Sequence, residues 1–287
     1  MDSHLPSTTP STTPSGATAS ARSVFIDFDG TFADHGRVPA AHLDAVQSAR
    51  AAGHRVFLCT GRPRVFVAPR LRSGVFDGLV CAAGGYAEID GQVLADRRFP
   101  AELGAEVAST LTAADATFFL EAPDRVLTSP ASARRLEGFL GHVLGPGEPE
   151  PTLEVHQDLT GCSFSKVSVQ DGPMPVDQLA EELGPQVGAL PNSITGRAGS
   201  SGELYLAGVD KSVGIAVVEK HLGLRRADII AIGDGRNDLE MIGYAGTGVA
   251  VEGAPQRVLD AAQLVIPGPA SEGIARCFQQ LGLIPSS

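Results

Sequence analysis

The apolar run Ser23-Val-Phe-Ile26 passes without a spacer into Asp27-Phe-Asp29-Gly30-Thr31. A run this short, ending in acidic and turn-forming residues, reads as a buried strand with polar groups at its carboxyl end. The form recurs twice. Arg55-Val-Phe-Leu-Cys59 stops at Thr60-Gly61-Arg62, and Ile229-Ile-Ala-Ile232 stops at Gly233-Asp234-Gly-Arg-Asn237-Asp238. Between the first two runs, Pro39–Arg50 places Leu43, Val46 and Ala49 at helical spacing, with Gly53 behind them as a cap. Strand, helix and strand joined by short links make a parallel βαβ unit. A helical stretch after Asp210-Lys211, the Ile229 strand, a further helix, the strand Gly248-Val-Ala-Val251 and a last helix near Ser271–Leu281 repeat the rhythm. The two ends of the chain thus read as halves of one α/β domain, a doubly wound, mainly parallel Rossmann-like sheet.

The middle of the chain does not continue that pattern. Ile89-Asp90-Gly91-Gln92 is a two-residue hairpin turn, and helical and strand-like stretches such as Ser132–Leu144 and Ser163–Val169 follow it. Residues 87–202 are therefore expected to form an inserted α/β cap domain, with 22–86 and 203–287 as the core. Residues 1–21 carry an overlapping PSTTP repeat and read as a disordered Ser/Thr/Pro tail. They have neither the basic start nor the apolar stretch of a secretory signal.

Composition narrows the partners. With 22 Lys+Arg against 33 Asp+Glu the formal net charge of the 287-residue chain is −11, and no long basic run offsets it. Nucleic acid and anionic membrane surfaces are polyanions that basic side chains must neutralise, so neither is expected as a partner. A small phosphorylated ligand, held by a few local donors, is compatible with this charge. Cys59, Cys81, Cys162 and Cys277 form no C-x-x-C pair, and a reducing cytoplasm is the simplest location. No stretch has the length of a membrane helix, and no G-x-x-x-x-G-K-[ST] phosphate loop occurs.

Ligands of open parallel sheets sit outside the carboxyl ends of the strands. Asp27, Asp29, Thr60-Gly61 and Asp234 to Asp238 should gather there with Lys211. Acidic and basic groups at one sheet edge, with glycines that let backbone N–H groups approach, suit a divalent cation and a phosphate.

The motifs Asp-x-Asp-Gly-Thr, Thr-Gly-Arg, Gly-Val-Asp-Lys and Gly-Asp-x-x-Asn-Asp resemble, in order, the four motifs of the haloacid dehalogenase-like phosphatases. Glu240-Met241, Ala245-Gly246, Gly248-Val-Ala250 and Gly253-Ala254 resemble the Cof-like subgroup, which carries a large α/β cap between the second and third motifs. The resemblance implies a Mg2+-dependent hydrolase of a small phosphorylated metabolite, with sugar phosphates as the favoured class. Asp27 would be the nucleophile that forms an aspartyl phosphate. Asp29 would protonate the leaving alcohol and then deprotonate water.

Thr60 and Lys211 would complete the catalytic set, Lys211 by neutralising charge on the transferring phosphoryl oxygens. Gly30, Thr31, Gly61, Arg62 and Asn237 would serve the substrate phosphate, Arg62 alternatively bracing the Asp29 loop. Asp27, Asp29 through its main-chain carbonyl, Asp234 and Asp238 would hold Mg2+. The chain departs from the subgroup at Ala83-Gly84-Gly85, where Asn-Gly-Ala is usual, so a side-chain amide is missing there. In the cap, Arg125, His156, Lys166 and Arg197 are possible substrate contacts, a surface or packing role being the simpler reading of each. A phosphomutase or phosphotransferase using the same intermediate is the nearest alternative. A non-catalytic protein that binds a phosphometabolite is another, but it has no need of both Asp27 and Asp29.

Overall fold

The computed structural model describes residues 21–137, 152–191 and 200–285. The tail over 1–20, Arg197 and the second half of the expected Ser132–Leu144 segment lie outside these residues. The chain first lays down β1 (Ser23–Ile26), β2 (Arg55–Cys59), β3 (Gly78–Cys81), β4 (Tyr86–Ile89) and β5 (Gln92–Asp96). It then builds β6 (Thr117–Glu121), β7 (Val126–Thr128), β8 (Leu153–Val155), β9 (Lys166–Asp171), β10 (Val187–Pro191) and β11 (Gly202–Leu206). It closes with β12 (Ile229–Gly233), β13 (Thr247–Val251) and β14 (Leu264–Ile266).

Two sheets result. The eight-stranded core sheet has the order β14-β13-β12-β1-β2-β3-β4-β5, and the six-stranded cap sheet the order β10-β11-β9-β6-β7-β8. From β14 to β3 every pairing is parallel, while β4 and β5 add an antiparallel edge. The parallel strands are nearly continuous apolar runs because helices cover both their faces. On one face Val24, Ile26, Leu58 and Ile232 pack with Val46, Ile274 and Phe278 of the helices Ala40–Ala51 and Gly273–Gln280. On the other, Phe25, Phe57 and Ala231 pack with Ile215 and Val218 of the helix Lys211–Leu222 and with Met241. Phe25 and Phe57, neighbours in register, stack with centroids 4.7 Å apart.

The change of sheet falls later on both sides than residues 87 and 202. Asp90 and Gly91 both have positive φ (50° and 78°), and their turn folds β5 back onto β4 at the core's edge. Gly202–Leu206 pairs with β9 and β10, so it belongs to the cap sheet. In that sheet the side chains alternate. Phe118, Leu120, Val167 and Val169 join the cap's own core with Val107, Leu111 and Leu179 of its helices. Phe119, Glu121, Lys166 and Ser168 point the other way. Phe119 meets Phe66, which follows β2, edge to face at 6.0 Å. No helix among the described residues is long and apolar enough to cross a membrane.

Candidate active site

The order β12-β1-β2, parallel throughout, carries the residues after these strands to one edge. Asp27 continues the ladder one step, its N–H donating to the Ile232 carbonyl at 2.9 Å. Asp234 follows β12 and Thr60 follows β2. Lys211 reaches the same edge as the first residue of its helix, which Asp210 caps by accepting from the N–H groups of Ser212 (2.8 Å) and Val213 (3.3 Å).

Lys211 is fully buried and donates to Asp27 Oδ1 and to Asp238 Oδ1, each at 2.5 Å. Asp238, also fully buried, uses Oδ2 to accept from the N–H groups of Asp234 (3.0 Å) and Gly235 (2.7 Å). It therefore anchors both the lysine and the loop after β12. The two carboxylates beside Lys211 hold its ammonium well above the usual lysine range, against its burial. Burial pushes Asp27 up, Lys211 opposes the shift, and the neighbouring carboxylates of Asp238, Asp234 and Asp29 add to it. Burial likewise raises Asp234.

Asp27, Asp234 and Asp238 bring carboxylate oxygens within 4.8 Å of one another. Three carboxylates against the Lys211 ammonium leave −3 + 1 = −2. An all-oxygen set with that charge fits a hard divalent cation such as Mg2+. Asp27 and Asp234 would offer it their freer oxygens, since Asp238 is already engaged by three protein donors.

Thr31 and Gly30 serve this cluster from behind. Thr31 is buried and its hydroxyl donates to Asp234 Oδ1 at 2.6 Å. Gly30 has φ +85°, and a Cβ there would lie 2.4 Å from Asp234 Oδ2. Both residues thus position Asp234 instead of facing the open cavity. Asp29 is not one of these three carboxylates, and its side chain is exposed. Arg62 grips it with two parallel hydrogen bonds, Nε to Oδ2 at 2.7 Å and Nη2 to Oδ1 at 2.6 Å, while lying over the Phe28 ring. Of the two roles open to Arg62, this arrangement is the brace.

A cavity of about 300 Å³ opens in front of these groups. Asp27, Asp29, Thr60, Gly61, Arg62, Asn237 and Asp238 line it from the core. Thr60 is buried and its hydroxyl accepts from the Arg62 N–H at 3.1 Å. From the cap come Phe119, Glu121, Lys166, Ser168, Gln170 and Glu203. Of the cap residues singled out in the sequence, Lys166 lines this cavity, whereas the exposed Arg125 and the half-buried His156 pair with Glu154. Glu121, Ser168, Gln170 and Glu203 were not visible as site residues, because a polar side chain on a strand ordinarily marks a solvated face.

A family model described as haloacid dehalogenase-like hydrolase matches residues 24–278. YkrA of Bacillus subtilis, named as a phosphatase, is 26% identical over 272 residues, covering 92% of this chain and 99% of that protein. A phosphoglycolate phosphatase of Archaeoglobus fulgidus is 40% identical over 78 residues, which are 27% of this chain and only 35% of that relative. A solved structure described as a HAD subclass IIB sugar phosphatase has a TM-score of 0.77 at 20% identity, covering 92% of this chain and all (100%) of the other. Its likeness to this chain is one of fold.

Proposed function

The chain belongs to the haloacid dehalogenase-like hydrolase family, and on that premise we propose that it is a Mg2+-dependent phosphatase of a small phosphorylated metabolite, a sugar phosphate in the favoured case. The observation that carries the reading is the state of Asp27. Lys211 fixes one of its oxygens at 2.5 Å, and the residue lines the cavity, with no hydrogen-bond partner for its other oxygen among the described residues. The phosphatase names of YkrA and of the Archaeoglobus relative support the reaction class.

The reaction then follows from the side chains. The free oxygen of Asp27 attacks phosphorus, the bond from phosphorus to the leaving oxygen breaks, and Asp29 gives that oxygen its proton. Water next attacks the aspartyl phosphate, passing a proton to Asp29 as the Asp27–phosphorus bond breaks. Arg62 holds Asp29 near the phosphate, and its grip must loosen for the proton transfers. Lys211 neutralises charge at Asp27 as it is displaced from the acyl phosphate. Asn237 and the Gly61 backbone stand beside the cavity where phosphate oxygens would lie. Mg2+, bound by Asp27 and Asp234, would supply charge neutralisation and Lewis acidity for those oxygens.

The test is release of inorganic phosphate from a generic aryl phosphate with and without Mg2+. Asp27→Asn should lose about 10³-fold or more of turnover while keeping the wild-type melting profile. Wild-type turnover in that variant would remove Asp27 from the role of nucleophile.

A further inference from the structure

Among the described residues, four cations line the catalytic cavity and two cavities that adjoin it: Arg62, Lys166, Lys211 and Arg236. Three of them are held by carboxylates of the chain itself. Lys211 pairs with Asp27 and Asp238, and Arg62 pairs with Asp29. The buried Lys166 donates to Glu203 Oε1 at 2.6 Å and to the Gly61 carbonyl at 2.8 Å, and lies 3.2 Å from Glu121 Oε2. Arg236 differs. It is exposed, and its guanidinium has no hydrogen bond or ion pair among the described residues. Its backbone, by contrast, is fixed. Arg236 stands between Asp234 and Asp238 on the loop after β12, where Asp238 Oδ2 accepts from the N–H groups of Asp234 and Gly235 and the Arg236 carbonyl accepts from the Leu239 N–H. An uncommitted side chain on a fixed backbone presents its charge at a defined place, which lowers the cost of binding there.

The larger cavity that Arg236 lines opens directly off the catalytic one. Its volume is about 550 Å³, and Ser168, Gln170, Glu203, Gly235 and Asn237 line both. Its charged lining residues are Glu203, Asp234 and Arg236. Glu203 is paired with Lys166, and Asp234 accepts from Thr31 and belongs to the cation cluster, so Arg236 is the charge left uncommitted there. Pro191 and Gly202, at the ends of β10 and β11, also line this cavity, and residues 192–201 between them include no Asp or Glu. The carboxylate best placed to compete is Glu240, which lines the smaller cavity with Arg236 but forms no ion pair with it. A surface pair of that kind is worth little, so a ligand anion would displace it.

We propose that Arg236 is a second anion-binding site: with the phosphoryl group at Asp27, the far end of the substrate enters the adjoining cavity and sets a carboxylate or a second phosphate against the guanidinium fork. The site rests on the phosphatase reading and adds a rule of selection to it, a preference for phosphate esters that carry a second anion, such as the phosphate of a sugar acid or a sugar bisphosphate. The loop after β12 then serves both ends of one substrate, Asp234 through the bound cation and Arg236 directly. Because Arg62, Lys166 and Lys211 are already paired, the discrimination rests on this one residue. Arg236 touches no reacting atom, so its contribution is to binding and specificity.

The test compares kcat/KM within pairs of esters that differ only at the far end: glycerol phosphate with phosphoglycerate, sorbitol phosphate with phosphogluconate, and a fructose monophosphate with fructose bisphosphate. The first two pairs exchange a hydroxymethyl group for a carboxylate at two chain lengths, and the third adds a phosphate, which separates the two anions. With Mg2+ the wild-type protein should favour the anionic member of at least one pair by about fivefold or more. Arg236→Gln should lower kcat/KM for that member by about fivefold more than for its partner, chiefly through KM. Arg236→Lys should keep part of the preference, since it keeps the charge and loses the fork. Added potassium chloride should shrink the wild-type preference and leave the Arg236→Gln ratio nearly constant, because the field of an exposed charge is screened. A merely damaged loop lowers both members alike and moves neither the ratio nor its salt dependence. Equal rates or preference for the uncharged end in all three pairs overturns the site, as does an anionic preference that Arg236→Gln leaves intact. If the wild-type protein hydrolyses aryl phosphate but shows no such preference, only the Arg236 site falls. If it hydrolyses no phosphate ester, the phosphatase reading falls and takes the site with it.

Discussion

At the scale of single residues, the departure at Ala83 has a conformational consequence. Ala82 and Ala83 stand at φ 50° and 51°, and Gly84 at φ 98°, in the turn after β3. Ala83, with ψ 36°, is in the left-handed region, which costs an ordinary L-residue about 1 kcal/mol or more and which Asn tolerates better. The residue that the Cof-like pattern usually places here is therefore also the one that suits the backbone. Ala83→Asn should raise stability by about 0.5–1 kcal/mol in denaturant titration. An unchanged or lowered midpoint would mean that the surrounding packing has already absorbed the strain. Gly84 allows no such change, since a Cβ would stand 1.8 Å from the Asp210 carbonyl oxygen. The Asp27 and Lys211 pairing was legible because each sits in a recognisable motif. The demand on Gly84 was not, because its partner Asp210 is distant in the chain and only the fold brings it near.

At the scale of elements, strands whose apolar runs end in acidic or turn residues were legible, and β1, β2 and β12 begin and end close to where the sequence places them. The edges of the cap were harder to place. A hairpin has the same sequence signature whichever sheet it extends, and the β4–β5 turn extends the core. Strand partners were also hidden, so Glu121 and Glu203 had no visible reason to be anything but solvated. Pairing of β6, β9 and β11 turns them inward around Lys166. That cluster should make the cap sensitive to loss of its cation. Removing one member of a buried ion pair costs about 3–5 kcal/mol, because the remaining charges are left uncompensated. Glu203 retains 31% exposure of its side chain, which places the expected loss for Lys166→Met near the lower end, at about 3 kcal/mol. Adding Glu121→Gln to that variant should recover part of the loss, since it removes the most buried of the stranded carboxylates. Hydrogen exchange read on β6 and β9 should localise the effect to the cap sheet. Equal stability of Lys166→Met and wild type would show that the cluster contributes no net energy to the cap.

At the scale of the whole molecule, the acid excess and the topology meet at one edge. The −11 formal charge is spread over the chain, but the parallel order β12-β1-β2 concentrates Asp27, Asp234 and Asp238 where, among the described residues, Lys211 is the cation paired with them. The native state gathers these like charges, whereas the unfolded chain separates them. A cation that binds the cluster therefore stabilises the native state by linkage, independently of turnover. At a concentration about 100 times its dissociation constant, Mg2+ should contribute about 2.7 kcal/mol. For a unit the size of the core this corresponds to a rise of roughly 5–10 °C in the melting midpoint. Potassium chloride at matched ionic strength should give much less, because the Debye length shortens equally while no divalent ligand field is satisfied. Asp234→Asn is the decisive variant, since it removes one charge and one cation ligand from the cluster. Its midpoint without Mg2+ should equal or exceed that of the wild type, as like-charge repulsion is relieved, and its response to Mg2+ should be largely lost. A full Mg2+ response in Asp234→Asn would place cation binding elsewhere in the chain. An equal response of the wild type to potassium would reduce the effect to screening of the general acid excess.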